Sequence, residues 1–272
     1  MPRLDFIAPL FVPASRPERF AKAAASGADA VILDLEDAVR PEDKAAARQA
    51  VTTAFTTLPV VLRINGAGTS WHGADLDVAM EIRPAAIMLP KAEFSPVLQG
   101  IGEKAARRGI GVIALIETAR GIAHAERIAA APGVVRLAFG SVDYAADIGC
   151  AHTRTALAHA RSLLVLASRL SERIAPLDGV TTEIEDGTRI EDDARHSREL
   201  GFGGKLCIHP RQIQPVLGCW KPSASDIQWA SRIVGTEGAV AVDGEMVDEP
   251  VRARARAILA RVAASPARSA VG

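Results

Sequence analysis

Eight short apolar runs recur along the chain, and their spacing limits the folds available to it. They are "FIAPLFV" from Phe6, "AVILDLE" from Ala30, "VVLRIN" from Val60, "AAIMLPK" from Ala85, "GVIALIE" from Gly111, "VVRLAFG" from Val134, "IAPLDGV" from Ile174 and "KLCIHP" from Lys205. Successive runs begin at intervals on the order of 30 residues, the length of a strand plus the crossover helix that leads to a parallel neighbour. Near-continuous apolar strands are expected where a parallel sheet is covered on both faces. The segments between them carry helical signals. "SRPERFAKAAASG" has Ser15 as an expected N-cap, Pro17 in the first turn and Gly27 at its close, and "ARGIAHAERIAAAPG" is alanine-rich and ends at Pro132-Gly133.

Eight such units predict a (β/α)8 TIM barrel, the competing arrangement being a doubly wound open sheet. After "CIHP" the pattern changes. "SASDIQWASRIVG" predicts one more helix capped by Ser223 or Ser225, and "GAVAVDGEMVDEPVRARARAILARVAA" a hairpin turning at Asp243-Gly244 followed by a last helix. The expected organisation is a barrel over residues 1–220 with a C-terminal helical and hairpin extension over 221–272.

Charge and cysteine usage exclude several functions. The 32 Lys and Arg residues balance 32 Asp and Glu, so no basic excess points to nucleic acid or to an anionic membrane surface. Three cysteines without CxxC spacing give neither a disulfide framework nor a zinc site, and a cytoplasmic location is expected. Pro9 and Pro13 interrupt the first hydrophobic run, which does not read as a signal peptide, and no stretch approaches a membrane span.

Barrel active sites form where the strands end. Here the strand ends carry Glu36 and Asp37, Arg63, Lys91, Glu117, and Gly140-Ser141 with Asp143 just beyond. Three acids at the end of the buried run "AVILDLEDAV" need a cation beside them, because isolated buried carboxylates are strongly disfavoured. Glu117 and Asp143, from neighbouring strands, suit Mg²⁺, which is typically held by one or two carboxylates together with water and an anionic ligand. The scarcity of histidine disfavours zinc. Two structural alternatives stand beside this: Glu117 could pair with Arg120 or Arg63, and Asp143 could cap the helix that follows it.

The blocks "PASRPERFAKAAASGADAVILDLEDAV", "VVLRINGAGTSWHGADL", "IMLPKAE", "ALIETARGI", "AFGSVDYAADIG" and "LCIHPRQI" resemble, in order and spacing, the signature segments of citrate lyase β-subunit-like proteins of the HpcH/HpaI aldolase/citrate lyase family. The resemblance implies an Mg²⁺-dependent carbon–carbon lyase acting on a carboxylated 3-hydroxyacyl thioester such as malyl-CoA, citramalyl-CoA or citryl-CoA. It makes Glu117 and Asp143 the metal ligands, with Arg63 on the substrate's oxygens and Glu36 and Asp37 positioning Arg63 and water. Lys91, Gly140 and Ser141 would line the substrate, and Arg16 would meet a phosphate of coenzyme A. "GEMVDEPVRARA" resembles the segment that carries a catalytic aspartate across a subunit interface, here Asp248, in a homotrimer or hexamer. Asp248 also reads as a helix N-cap. The alternatives are a citryl-acyl-carrier-protein lyase subunit, an acyl-CoA thioesterase and a non-catalytic barrel that binds CoA esters. Asp34 reads as an anchor for a buried hydrogen bond, outside the catalytic set, and Cys207 as inert core.

Overall fold

Each apolar run forms a strand because its β-branched and aliphatic side chains can be buried on both faces. In the computed structural model, which describes residues 4–236, 240–242 and 245–264, eight strands lie in sequence order and are all parallel. They are β1 (Pro9–Pro13), β2 (Ala30–Asp34), β3 (Val60–Arg63), β4 (Ala86–Leu89), β5 (Gly111–Ile116), β6 (Val134–Phe139), β7 (Ile174–Asp178) and β8 (Gly204–Lys205). The sheet closes on itself where the chain beyond β8 meets β1: Phe11 N–H donates to Cys207 O at 2.9 Å and Cys207 N–H to Pro9 O at 3.0 Å. Helices fill the connections, as in a (β/α)8 barrel. The open-sheet alternative is excluded by this closure.

Alternate residues of the strands point inward. Ala30 and Ile32, Ala86 and Met88, and Ile113 and Leu115 pack with Leu4, Phe6, Val61, Ala138, Leu177 and Leu206 into the barrel interior. Arg136 of β6 and Lys205 of β8 are fully buried cations within apolar runs, Lys205 held by Gly179 O at 2.7 Å and by Asp178, and Arg136 by backbone carbonyls. Its guanidinium donates to the carbonyls of Leu4, Phe6 and Ala175, which compensates part of its desolvation, and burial lowers its pKa to about 9. Cys207 is buried, and desolvation pushes its thiol up to about 12, consistent with an inert core role.

Ser15 is not the expected cap. Pro17–Arg19 form a 3-10 turn whose N-cap is Arg16, with no side-chain cap bond. Arg16 N–H closes a turn back to Pro13 O, so the residues after β1 are consumed in a turn before the helix Phe20–Ala24 begins.

The chain divides after Leu217. In the second unit the helix Ala224–Val234 is capped by Ser223 in a reciprocal capping box with Asp226. Strands β9 (Val240–Val242) and β10 (Glu245–Val247) pair antiparallel, and Val247 of β10 joins Ala255 and Ile258 of the helix Glu249–Ala264 and Ala230 and Ile233 of Ala224–Val234 in one buried cluster. The expected turn at Asp243-Gly244 lies outside the described residues. No helix among the described residues is long and apolar enough to cross a membrane.

Candidate active site

The C-terminal ends of β2 to β6 converge on one cluster of charge. Parallel register sets the last residue of β2, Asp34, directly beside the last residue of β3, Arg63. Arg63 Nε and Nη2 donate to Asp34 Oδ1 and Oδ2 at 2.7 and 2.6 Å, a bidentate pair. Arg63 Nη1 lies 3.1 Å from Glu36 Oε2 and 3.5 Å from Asp37 Oδ2. The guanidinium carbon also lies 4.8 Å from the centre of the Phe11 ring, a cation–π contact. These carboxylates together hold the Arg63 pKa above its ordinary value despite burial.

Glu36 is buried, and its contact with Arg63 is an ion pair without hydrogen-bond geometry, so Glu36 Oε2 has no hydrogen-bond donor within the protein. Burial pushes its carboxyl up to about 7, opposed by Arg63 and by Lys91, whose Nζ lies 3.6 Å from Glu36 Oε1. The loop that carries Glu36 is clamped from below. The buried Lys44 ammonium donates to Leu35 O, Glu36 O and Asn65 Oδ1 at 2.8, 2.9 and 2.7 Å. Asn65 in turn donates to Leu35 O and to the fully buried Asp75, which also pairs with Arg48.

Glu117 follows β5 and is buried, with Oε1 accepting the backbone N–H of Lys91 at 2.7 Å. Burial pushes Glu117 up to about 8, and the like charges of Glu36 and Asp143 act in the same direction. Gly140, after β6, is held against it: a Cβ built there would sit 2.3 Å from Glu117 Oε2 and 2.6 Å from Glu117 Cβ. Asp143 lies in the first turn of the helix Ser141–Ile148 and is exposed. Glu117 forms no pair with Arg120, which lies 3.4 Å from Glu93, nor with Arg63; the helix after β6 has no side-chain cap. Partial burial works against the Lys91 ammonium, but Glu36, Glu117, Asp37 and Asp143 outweigh it and raise its pKa.

Asp34, Glu36, Asp37, Arg63, Lys91, Glu117, Gly140 and Asp143 thus share one mouth. Ser141 is next to them in sequence, but its buried hydroxyl is engaged by His152 Nε2 at 2.9 Å and packed under Gly179. Arg16 is half exposed and paired with Glu18 at 2.5 Å. Asp248 belongs to the second unit, where its Oδ1 accepts Val251 N–H at 3.2 Å as the N-cap of the last helix. The sequence reading missed the Asp34 grip on Arg63 and the Lys44–Asn65–Asp75 clamp. The signal for the first was present: an acid ends one apolar strand and an arginine ends the next.

Among the described residues no group of three or more His, Cys, Asp and Glu is arranged as a metal cage. The candidate donors are two carboxylates, Glu117 and Asp143, with Asp34, Glu36 and Asp37 in the same mouth. Hard oxygen donors, mutual repulsion that lifts Glu117, and the Glu36 oxygen without a donor all fit a divalent cation that keeps other positions for water or an anionic ligand. The arrangement can neutralise and orient an oxygen-rich anion between a metal and Arg63.

A family model described as HpcH/HpaI aldolase/citrate lyase matches residues 8–210. The chain belongs to that family. It is 41% identical over 264 residues to the citrate lyase subunit beta-like protein of Mycobacterium tuberculosis, covering 93% of this chain and 94% of that one. It is 31% identical over 270 residues to a (3S)-malyl-CoA thioesterase of Cereibacter sphaeroides, covering 94% of each. Among solved structures, CitE of Mycobacterium tuberculosis in complex with magnesium, acetoacetate and coenzyme A superposes with a TM-score of 0.83 at 38% identity, covering 95% of this chain and 98% of that one.

Proposed function

We propose that the protein is an Mg²⁺-dependent carbon–carbon lyase that cleaves a carboxylated 3-hydroxyacyl thioester, of malyl-CoA, citramalyl-CoA or citryl-CoA type, to acetyl-CoA and a 2-oxo acid. The observation that carries the reading is the buried Glu117 carboxyl, lifted by burial and then by Glu36 and Asp143, at the strand ends that also hold Arg63 fixed on Asp34. A bound cation would offset the burial and like-charge repulsion that disfavour ionised Glu117. The magnesium-bound relative supports the choice of metal.

Glu117 and Asp143 would hold Mg²⁺, which when bound supplies Lewis acidity to the substrate's carboxylate and adjacent oxygen. Arg63 places a pre-oriented cation at the oxygens that gain charge as the hydroxyl becomes a carbonyl. Lys91 adds a second positive charge at the rim. Of the acids, Glu36 is matched to taking up the hydroxyl proton, since burial sets its pKa at about 7. Asp248 would return a proton to the acetyl fragment as the carbon–carbon bond breaks, with its second unit supplied by a neighbouring subunit of a homotrimer or hexamer. Ser141 and Gly140 shape the wall beside Glu117, and Arg16 meets the nucleotide phosphates.

A second reading, thioester hydrolysis, is favoured by the malyl-CoA thioesterase relative. In both readings Glu117→Gln is expected to abolish Mg²⁺ binding and turnover, with an unchanged circular dichroism spectrum. Full activity in that variant would remove Glu117 and its metal site from the account.

A further inference from the structure

The Asp34 carboxylate is only 1% exposed, and its bonding is saturated. Oδ1 accepts Glu36 N–H at 2.8 Å and Arg63 Nε–H at 2.7 Å; Oδ2 accepts Ala38 N–H at 3.1 Å and Arg63 Nη2–H at 2.6 Å. Each oxygen therefore takes one backbone donor from the acid loop and one donor from the guanidinium. A carboxylate offers about four lone-pair sites, so no capacity remains for a ligand. Of the Arg63 donors, Nε and one Nη2 proton are spent on Asp34, and Nη1 meets Asp37 Oδ2 at 3.5 Å and Glu36 Oε2 at 3.1 Å, so the fork is held on one side by Asp34 and on the other by the acid loop.

We infer that Asp34 is a positioning residue that locks the Arg63 guanidinium and the Glu36–Asp37 loop into one rigid piece, so that Arg63 meets an anionic 2-oxo or 3-hydroxy acid in a fixed orientation. The inference rests on the proposed role of Arg63 in binding that acid. Asparagine at position 34 cannot reproduce the arrangement: whichever way the amide turns, its NH₂ meets one backbone N–H and one guanidinium N–H, both donors. The charge that offsets the buried guanidinium is lost as well. Lysine at position 63 keeps the charge but not the fork.

The test is a double-mutant cycle on the dissociation constant of pyruvate in saturating Mg²⁺, by calorimetry, with Asp34→Asn, Arg63→Lys and the pair. Each single variant is expected to weaken binding about tenfold or more, since each removes a bidentate charge-assisted contact at the site. The double variant is expected to be no weaker than Arg63→Lys, because Asp34 acts only through Arg63. Multiplying effects, or an unchanged constant in Asp34→Asn, would overturn the inference and leave the site reading intact. An unchanged constant in Arg63→Lys would instead overturn the site reading itself. Should Asp34→Asn fail to fold, or pyruvate fail to bind, the unaltered protein still decides. Its Arg63 Nε proton, assigned by nuclear magnetic resonance through its loss in Arg63→Lys, is expected to be protected from solvent exchange, and rapid exchange would contradict the clamp.

Discussion

The backbone N–H of Lys91 donates to Glu117 Oε1 at 2.7 Å, and Lys91 itself has a left-handed backbone with φ of 47°. That conformation costs a non-glycine residue roughly 1 kcal/mol or more, and here it aims an amide at a buried carboxylate. Lys91→Gly keeps the amide and relieves the strain, and it loses the ammonium beside Glu36 and Glu117 just as Lys91→Pro does, so it is the reference for that variant. Lys91→Pro removes the donor and fixes φ near −65°, and should weaken Mg²⁺ binding about tenfold or more. Equal Mg²⁺ titrations for the two variants would show that the amide has no role.

Gly140 touches the same carboxylate from the other side. A methyl group at this position would sit 2.3 Å from Glu117 Oε2, too close for any carbon–oxygen contact. Gly140→Ala is expected to displace Glu117, lower Mg²⁺ affinity and cost about 1–3 kcal/mol in unfolding free energy by overpacking. Unfolding by denaturant with and without Mg²⁺ measures both effects. A variant with unaltered affinity would mean that Glu117 is free to move aside without consequence.

Two acids with raised pKa values make metal-free stability depend on pH. Glu36 titrates at about 7 and Glu117 at about 8 in the fold, against ordinary values near 4.5 in the unfolded chain. Between those limits the folded state binds more protons than the unfolded one, so stability falls as pH rises. His152 and His196, whose pKa values burial lowers, act in the opposite sense, so the carboxylate contribution is read as the metal-free melting temperature of the unaltered protein less that of Glu36→Gln/Glu117→Gln, and this difference should decline from about pH 5 to pH 8. Stabilisation by Mg²⁺ should be larger at pH 8 than at pH 6, because the ion competes with the Glu117 proton. A difference that rises through this window would show that these carboxylates are not desolvated.

The barrel was legible because a strand buried on both faces must be apolar along its whole length, and eight such runs at crossover spacing leave few topologies. The weakest was β8, only Gly204–Lys205, whose closure onto β1 depends on Cys207. Arg136 broke the apolar rule without breaking the strand, because three carbonyls from distant residues receive it. The strand-end acids and Arg63 were also readable. Which acid grips Arg63 was not, since that depends on the register that sets Asp34 against it. Lys44 is similar: in sequence it is one lysine in an alanine-rich helix, and only the packing turns its ammonium toward Leu35 and Glu36. The double reading of Asp248 stays split for a comparable reason. Its capping bond is local and visible, whereas a proton-transfer role depends on a neighbouring subunit.

The most direct measurement is product analysis of malyl-CoA, citramalyl-CoA and citryl-CoA incubated with the purified protein, in Mg²⁺ and in EDTA. The lyase account predicts acetyl-CoA together with glyoxylate, pyruvate or oxaloacetate, formed in Mg²⁺ and abolished by EDTA. Free CoA with the intact hydroxy acid, or no product from any of the three thioesters, would contradict it.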